Sequence, residues 1–124
     1  MLLSSIVAFQ GTPKSAHYAA TKAYVQTLAE GLRAELKGSG VDVLAVAPGP
    51  VATGFAARAN LKMANAMTPG VIAVESLKLL GRTTTARPGF LSKVLGYSLA
   101  TTPRWGRVKI MNAVMSGMTA HQRK

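Results

Sequence analysis

Apolar and polar positions along this chain change their spacing at clear boundaries. Met1 to Phe9, MLLSSIVAF, is an apolar run broken only by two serines, which predicts a short strand. Gln10 to Ser15 contains Gly11 and Pro13, a loop composition. From Ala16 to about Lys37 the apolar residues recur at helical steps. Val25, Leu28, Leu32 and Leu36 define one apolar face of that helix, and Gln26, Glu30, Arg33 and Lys37 a polar one. Ser15 stands at the N-cap position, and Gly38-Ser39-Gly40 closes the helix. Val41 to Ala47 is then a nearly continuous apolar run, stopped by Pro48-Gly49-Pro50, as expected of a strand covered on both faces. Strand, helix and buried strand predict a right-handed βαβ unit in a parallel sheet.

The second half carries shorter signals. Thr68-Pro69 reads as a cap followed by proline in the first helical turn, with the helix running to Leu80 and Gly81 stopping it. Arg82 to Gly89 is β-branched and ends in Pro88-Gly89, which predicts a short strand. Thr102-Pro103 repeats the cap-plus-proline pattern. The helix after it places Trp105, Val108, Met111, Met115 and Met118 on one apolar face, expected to be core.

Two further stripes lie on the long helix. Tyr18 and Lys22, four residues apart, share a side on the border between its apolar and polar faces. A border position gives a side chain a desolvated flank and an open tip, which suits proton transfer. Ala20, Ala23, Thr27, Gly31 and Ala34 form a stripe of small residues, a surface on which another helix can approach closely.

Composition narrows the chemistry. With 124 residues, 48% hydrophobic and 15% charged, the chain suits one packed domain. It has no cysteine and two histidines, His17 and His121, so no thiolate or convincing histidine metal site is expected. No apolar run is long enough to span a bilayer and no signal peptide is apparent, so a cytoplasmic location is expected. The net charge is +11, and from Ser76 to Lys124 there are nine Lys and Arg and no acid. Such a surface attracts phosphates on a nucleotide, nucleic acid or lipid, or else is a solvated face or one that meets an acidic region outside this chain. A nucleic-acid or membrane-surface module is an alternative. It lacks interleaved aromatics and any known nucleic-acid motif, and no nucleic-acid partner is expected.

Taken together, the motifs resemble the short-chain dehydrogenase/reductase family. Tyr18-x-x-x-Lys22 matches that family's Tyr-x-x-x-Lys pattern. Ser4-Ser5 matches its paired serines, with Ser5 thirteen residues before Tyr18. Pro48-Gly49-Pro50-Val51-Ala52-Thr53 matches its Pro-Gly-x-Val-x-Thr segment. The tail resembles a bacterial subgroup related to hydroxysteroid and ketoacyl reductases. The resemblance covers about the C-terminal half of a family member, so residues 1–124 are expected to be part of one domain. That part is the C-terminal portion of a doubly wound Rossmann-type α/β fold, without the dinucleotide-binding half. The glycine-rich Gly-x-x-x-Gly-x-Gly loop is absent from the sequence.

The resemblance implies an NAD- or NADP-dependent oxidoreductase interconverting an alcohol and a carbonyl. In that scheme Tyr18 is the acid/base and also contacts the cofactor, Lys22 lowers its pKa and binds ribose hydroxyls, and Ser5 holds the substrate oxygen. Pro48, Gly49, Val51 and Thr53 border the nicotinamide. A small-molecule substrate of lipophilic character, no metal and a homo-oligomer are implied as well. Ser4 is read as structural, and His17 as a surface or capping residue. The rival is a remnant that keeps the motifs and has lost cofactor binding.

Overall fold

A computed structural model describes residues 1–122. Three short parallel strands stand side by side in the order β1 (Leu2–Leu3), β2 (Ala45–Val46) and β3 (Thr85–Ala86). Leu2 lies opposite Ala45, and Ala45 opposite Thr85. The first two are joined by α1 (Ala16–Glu35), as the alternation of apolar run, helical pattern and apolar run predicts. Between β2 and β3 come α2 (Gly54–Arg58) and α3 (Pro69–Leu77), and after β3 come α4 (Phe90–Thr101) and α5 (Arg104–Met118).

The central strand explains the layering. Successive side chains of a strand point to opposite faces. Val43 and Ala45 pack with Ala29, Leu32 and Leu36 of the α1 side. Leu44 and Val46 pack with Ile72 of α3, Ala86, Leu79 and Leu80. A strand flanked by helices on both faces has no polar side to show, which is why Val41 to Ala47 lacks alternation. A third cluster, Ile6, Val7, Ala19, Leu99 and Met111, with Tyr18 and Leu95 against it, joins the end of β1 to α1, α4 and α5.

Several boundaries differ from expectation. The first strand, expected over Met1 to Phe9, is regular only at Leu2–Leu3. Its pairing continues as Ser4 N–H to Val46 O (2.8 Å) and Ile6 N–H to Pro48 O (3.1 Å). From Ile6 to Phe9 the chain coils into a 3₁₀ turn, because the Ser5 hydroxyl accepts the Val7 N–H and caps it. Ser15 makes no side-chain cap bond. Gln26, placed on the polar face of α1, is buried against the sheet; its Nε2 donates to Thr85 Oγ1 (2.7 Å) and Glu30 Oε1 (2.8 Å). Leu28 is exposed instead. The inward face is set by Ala19 and Ala29, small enough to bring α1 close to the strands, so the helix is rotated from the position its leucines suggest. Trp105 is exposed, with Lys109 Nζ 5.2 Å from its ring centroid, while Met111 and Met115 do line the core. In the small-residue stripe Ala20, Thr27, Gly31 and Ala34 are exposed, and among the described residues Gly31 has no neighbour within 4 Å of where a Cβ would stand.

Gly89 is a point where one atom decides stability. Its φ of 85° and ψ of 151° lie in a region that essentially only glycine occupies. A Cβ there would stand 2.0 Å from Met67 Sδ. Its N–H donates to Glu75 Oε2 at 3.0 Å, a bond that holds the Glu75 carboxyl below its ordinary pKa. Gly89→Ala should therefore destabilise the fold by at least about 2 kcal/mol, read as a lower urea midpoint. A midpoint equal to that of the parent would show that this turn is not fixed as described.

Candidate active site

The carboxyl end of β1 and the first turns of α1 bring three of the expected residues together. Ser5 follows the strand directly and is buried. Its oxygen accepts the Val7 N–H, which leaves its own O–H free to donate. Ser4, beside it, donates to the Lys22 carbonyl at 3.1 Å and so ties the strand to the helix, the structural role expected of it. Tyr18 is half-buried, packed on the Ile6–Leu99–Met111 cluster, with the Phe55 ring 5.5 Å away at 34°. Lys22 lies one helical turn on. Its Nζ donates to Leu3 O at 2.8 Å and stands 5.7 Å from the Tyr18 ring centroid. His17 is exposed.

The ionisation of Tyr18 is opposite in direction to the expectation drawn from Lys22. Burial of the phenol pushes its pKa above the ordinary value, and the Ser5 hydroxyl, which can donate to the phenol oxygen, pulls partly back. The Lys22 ammonium donates to the Leu3 carbonyl, and burial outweighs what lowers the pKa. Titrating the phenol by ultraviolet difference absorbance, wild type against Tyr18→Phe, should place Tyr18 above about 10 in the protein without cofactor. Ser5→Ala should move it further up. A midpoint below about 10 would contradict this geometry.

Past the end of β2 the chain turns through Pro48, Gly49 and Pro50. Pro48 is buried, and Gly49 N–H donates to Ser92 Oγ of α4 at 2.7 Å. A Cβ on Gly49 would meet that same oxygen at 2.9 Å, so glycine allows the close approach. Val51 forms a parallel bridge with Met67. Thr53 caps α2, its Oγ1 accepting the Phe55 N–H at 3.3 Å, which leaves the hydroxyl hydrogen free. Two residues that the motifs do not mark shape this site. Ser92 holds the Pro-Gly turn, and Phe55 covers the Tyr18 ring. Both act across contacts remote in sequence; the only local signal is the four-residue spacing of Leu91, Leu95 and Leu99, which marks α4 as a helix.

A parallel sheet clothed in helices, with serine, tyrosine and lysine gathered at the carboxyl ends of its strands, defines a Rossmann-like α/β protein. Residues 1–64 match the family model described as short chain dehydrogenase, and the chain belongs to that family. It is 43% identical over 58 residues to an uncharacterized oxidoreductase of Staphylococcus aureus strain USA300, covering 47% of this chain and 25% of that one. Its fold is similar to that of a 7beta-hydroxysteroid dehydrogenase, with a TM-score of 0.75 at 24% identity over 88% of this chain and 45% of the other. A short chain dehydrogenase from Burkholderia cenocepacia J2315, in complex with NADP, gives 0.69 at 25% identity over 80% and 42%. The chain thus spans less than half the length of these relatives. Among the described residues no helix is long and apolar enough to cross a membrane.

Proposed function

We propose that this chain is the substrate-side part of an oxidoreductase that uses NAD or NADP to interconvert a small-molecule alcohol and a carbonyl. One observation carries this most directly: the Ser5 hydroxyl and the Tyr18 phenol converge at the end of β1, with the Lys22 ammonium one turn away. The NADP held by the Burkholderia protein supports the cofactor class.

The donors on this chain suit the nicotinamide end of such a cofactor. Lys22 spends one of its three N–H bonds on Leu3 O, leaving two for ribose hydroxyls. Thr53 keeps a free hydroxyl hydrogen for the carboxamide, close in sequence to Pro48 and Gly49 of the turn and to Val51 of the bridge. When bound, the nicotinamide would give or take the hydride. Ser5 would fix the substrate oxygen. Tyr18 would pass its proton to that oxygen in reduction and receive it back in oxidation. A phenol with a raised pKa stays protonated through neutral pH, so the protein is in the proton-donating form that reduction requires. The apolar surroundings of Tyr18, Phe55 and Leu95 favour a lipophilic substrate. The exposed stripe at Ala20, Thr27, Gly31 and Ala34 is the face we assign to a neighbouring helix of the whole fold or to a second subunit.

The test is hydride transfer from reduced nicotinamide to a panel of ketones, by this chain placed behind a dinucleotide-binding half. Steady oxidation of NADH or NADPH that depends on an added ketone supports the proposal. No transfer to any of them, with the cofactor demonstrably bound, would refute it.

A further inference from the structure

Helix α4 and the first turns of α5 hold their aromatic residues away from the core. Phe90, Val94 and Tyr97 are spaced by four and three residues, so they share one side of α4. That side is the outer one, because Ser92 and Leu99 are buried and Leu95 packs on the cluster of Ile6 and Met111. Phe90 is 83% exposed; Tyr97 and Trp105, the chain's single tryptophan, are each 68% exposed. Val94 and Ile110 are exposed as well. Large apolar side chains gathered in this way on a soluble surface mark a place of contact.

The charge of the same stretch says what the contact is with. From Ser76 onward the chain has nine Lys and Arg and no acid. Three of these cations serve the fold. Lys93 pairs with Glu75 at 3.3 Å, and Arg107 donates to Thr102 O (2.8 Å) and Ala100 O (3.0 Å). Arg87 lies over the Phe9 ring at 4.7 Å, in space left by Gly96, where a Cβ would stand 2.5 Å from Arg87 Cδ. Arg104 and Lys109 are exposed, and among the described residues neither pairs with a carboxylate. Lys109 Nζ stands 5.2 Å from the Trp105 ring centroid, so a cation and the indole share one patch. The sequence reads Trp105 as core and does not show this mixture; the fold does.

Tryptophan and tyrosine, each with an apolar body and a polar tip, beside Arg and Lys are the composition of a helix lying in the headgroup layer of a bilayer. A nucleic acid would meet the charge and leave Phe90 and Val94 without a partner. A second copy of this chain would bring the same positive charge to the contact. An anionic bilayer takes both features, with phosphates for the cations and the acyl boundary for the rings. We propose that α4 and the first turns of α5 dock on an anionic lipid surface, with Phe90, Tyr97 and Trp105 in the headgroup layer and Arg104 and Lys109 on lipid phosphates. The contact is peripheral and independent of the oxidoreductase assignment.

Trp105 reports it directly. The chain is placed behind a dinucleotide-binding half that carries no tryptophan and is mixed with vesicles of phosphatidylglycerol and phosphatidylcholine, or of phosphatidylcholine alone. With the anionic vesicles the protein should sediment, and Trp105 emission should move to shorter wavelength and be quenched by lipid brominated on its acyl chains. Phosphatidylcholine alone should bind at least about tenfold more weakly. Arg104→Gln with Lys109→Gln should cost as much, since each cation at an anionic surface is worth about fivefold. Phe90→Ser with Val94→Ser should lose roughly tenfold or more, through lost apolar area. All four side chains are exposed, so these variants should keep the parent's circular dichroism. Equal binding to the two kinds of vesicle, Trp105 emission unchanged by lipid, or parental binding by Phe90→Ser with Val94→Ser would overturn the proposal. So would a single-stranded oligonucleotide that shifts Trp105 emission where vesicles do not, which would make this a nucleic-acid surface. A dimer seen by analytical ultracentrifugation and lost in Phe90→Ser with Val94→Ser, without vesicle binding, would give the face to a second copy instead.

Discussion

Tyr18→Phe should abolish ketone reduction by the chain joined to a dinucleotide-binding half, while leaving the fold intact. The substitution removes one oxygen and almost no volume. The ring keeps its packing on Ile6, Leu99 and Phe55, so stability should change little. What disappears is the proton donor. A positioned acid contributes about 10² to 10⁴ to rate, and the Lys22 ammonium, one turn away, already donates to Leu3 O. Turnover should fall by about 10³ or more, with cofactor affinity unchanged. Lys22→Ala should also be severe, but through weakened cofactor binding, so its loss should appear in KM for the cofactor as well as in kcat. Ser5→Ala should be damaging and should additionally shift the Tyr18 titration upward. Steady-state kinetics with matched circular dichroism spectra separates these outcomes. Activity surviving Tyr18→Phe nearly intact would remove Tyr18 from the mechanism.

The second large effect concerns the chain alone. Its 124 residues should show no measurable binding of NADPH by calorimetry. The donors described at Lys22 and Thr53 meet the nicotinamide end only. The sequence has no glycine-rich loop opening onto a helix N-terminus to hold the pyrophosphate, which is where such cofactors are normally anchored. The structure also leaves large apolar residues uncovered on α3, with Val71, Val74 and Leu77 about half exposed, and Phe90 and Tyr97 standing out from α4. These faces favour self-association. The same chain behind a dinucleotide-binding half should bind NADH or NADPH at micromolar concentration. Micromolar NADPH binding by the isolated, monomeric 124 residues would mean that the chain holds a self-sufficient site.

Much of the architecture was legible because burial leaves a periodic trace. The change from an apolar run to helical spacing and back located β1, α1 and β2, and the lack of alternation in Val41 to Ala47 announced helices on both faces. Three separated motifs pointed to Ser5, Tyr18 and Lys22, which the fold brings to one end of β1. What remained hidden is tertiary. Gln26 reads as polar surface until Thr85, far along the chain, arrives to bond it. Helix α4 has only a loose leucine repeat and a central glycine, and its use depends on Ser92 meeting Gly49 and on Gly96 admitting Arg87. The first strand ends early because a serine side chain competes for a backbone donor, an effect invisible in hydropathy. The direction of the Tyr18 shift also escaped the sequence, since spacing places Lys22 near the tyrosine but cannot show that burial of the phenol outweighs what lowers its pKa.

Isotope transfer tests the central claim most directly. The chain behind a dinucleotide-binding half is given a ketone and reduced nicotinamide cofactor carrying deuterium at the transferable position, and the product alcohol is analysed by mass spectrometry. The account predicts one deuterium on the carbinol carbon with wild type and almost none with Tyr18→Phe, although both proteins bind the cofactor equally. Equal deuterium incorporation by the two proteins, or none by wild type with any ketone, would contradict it.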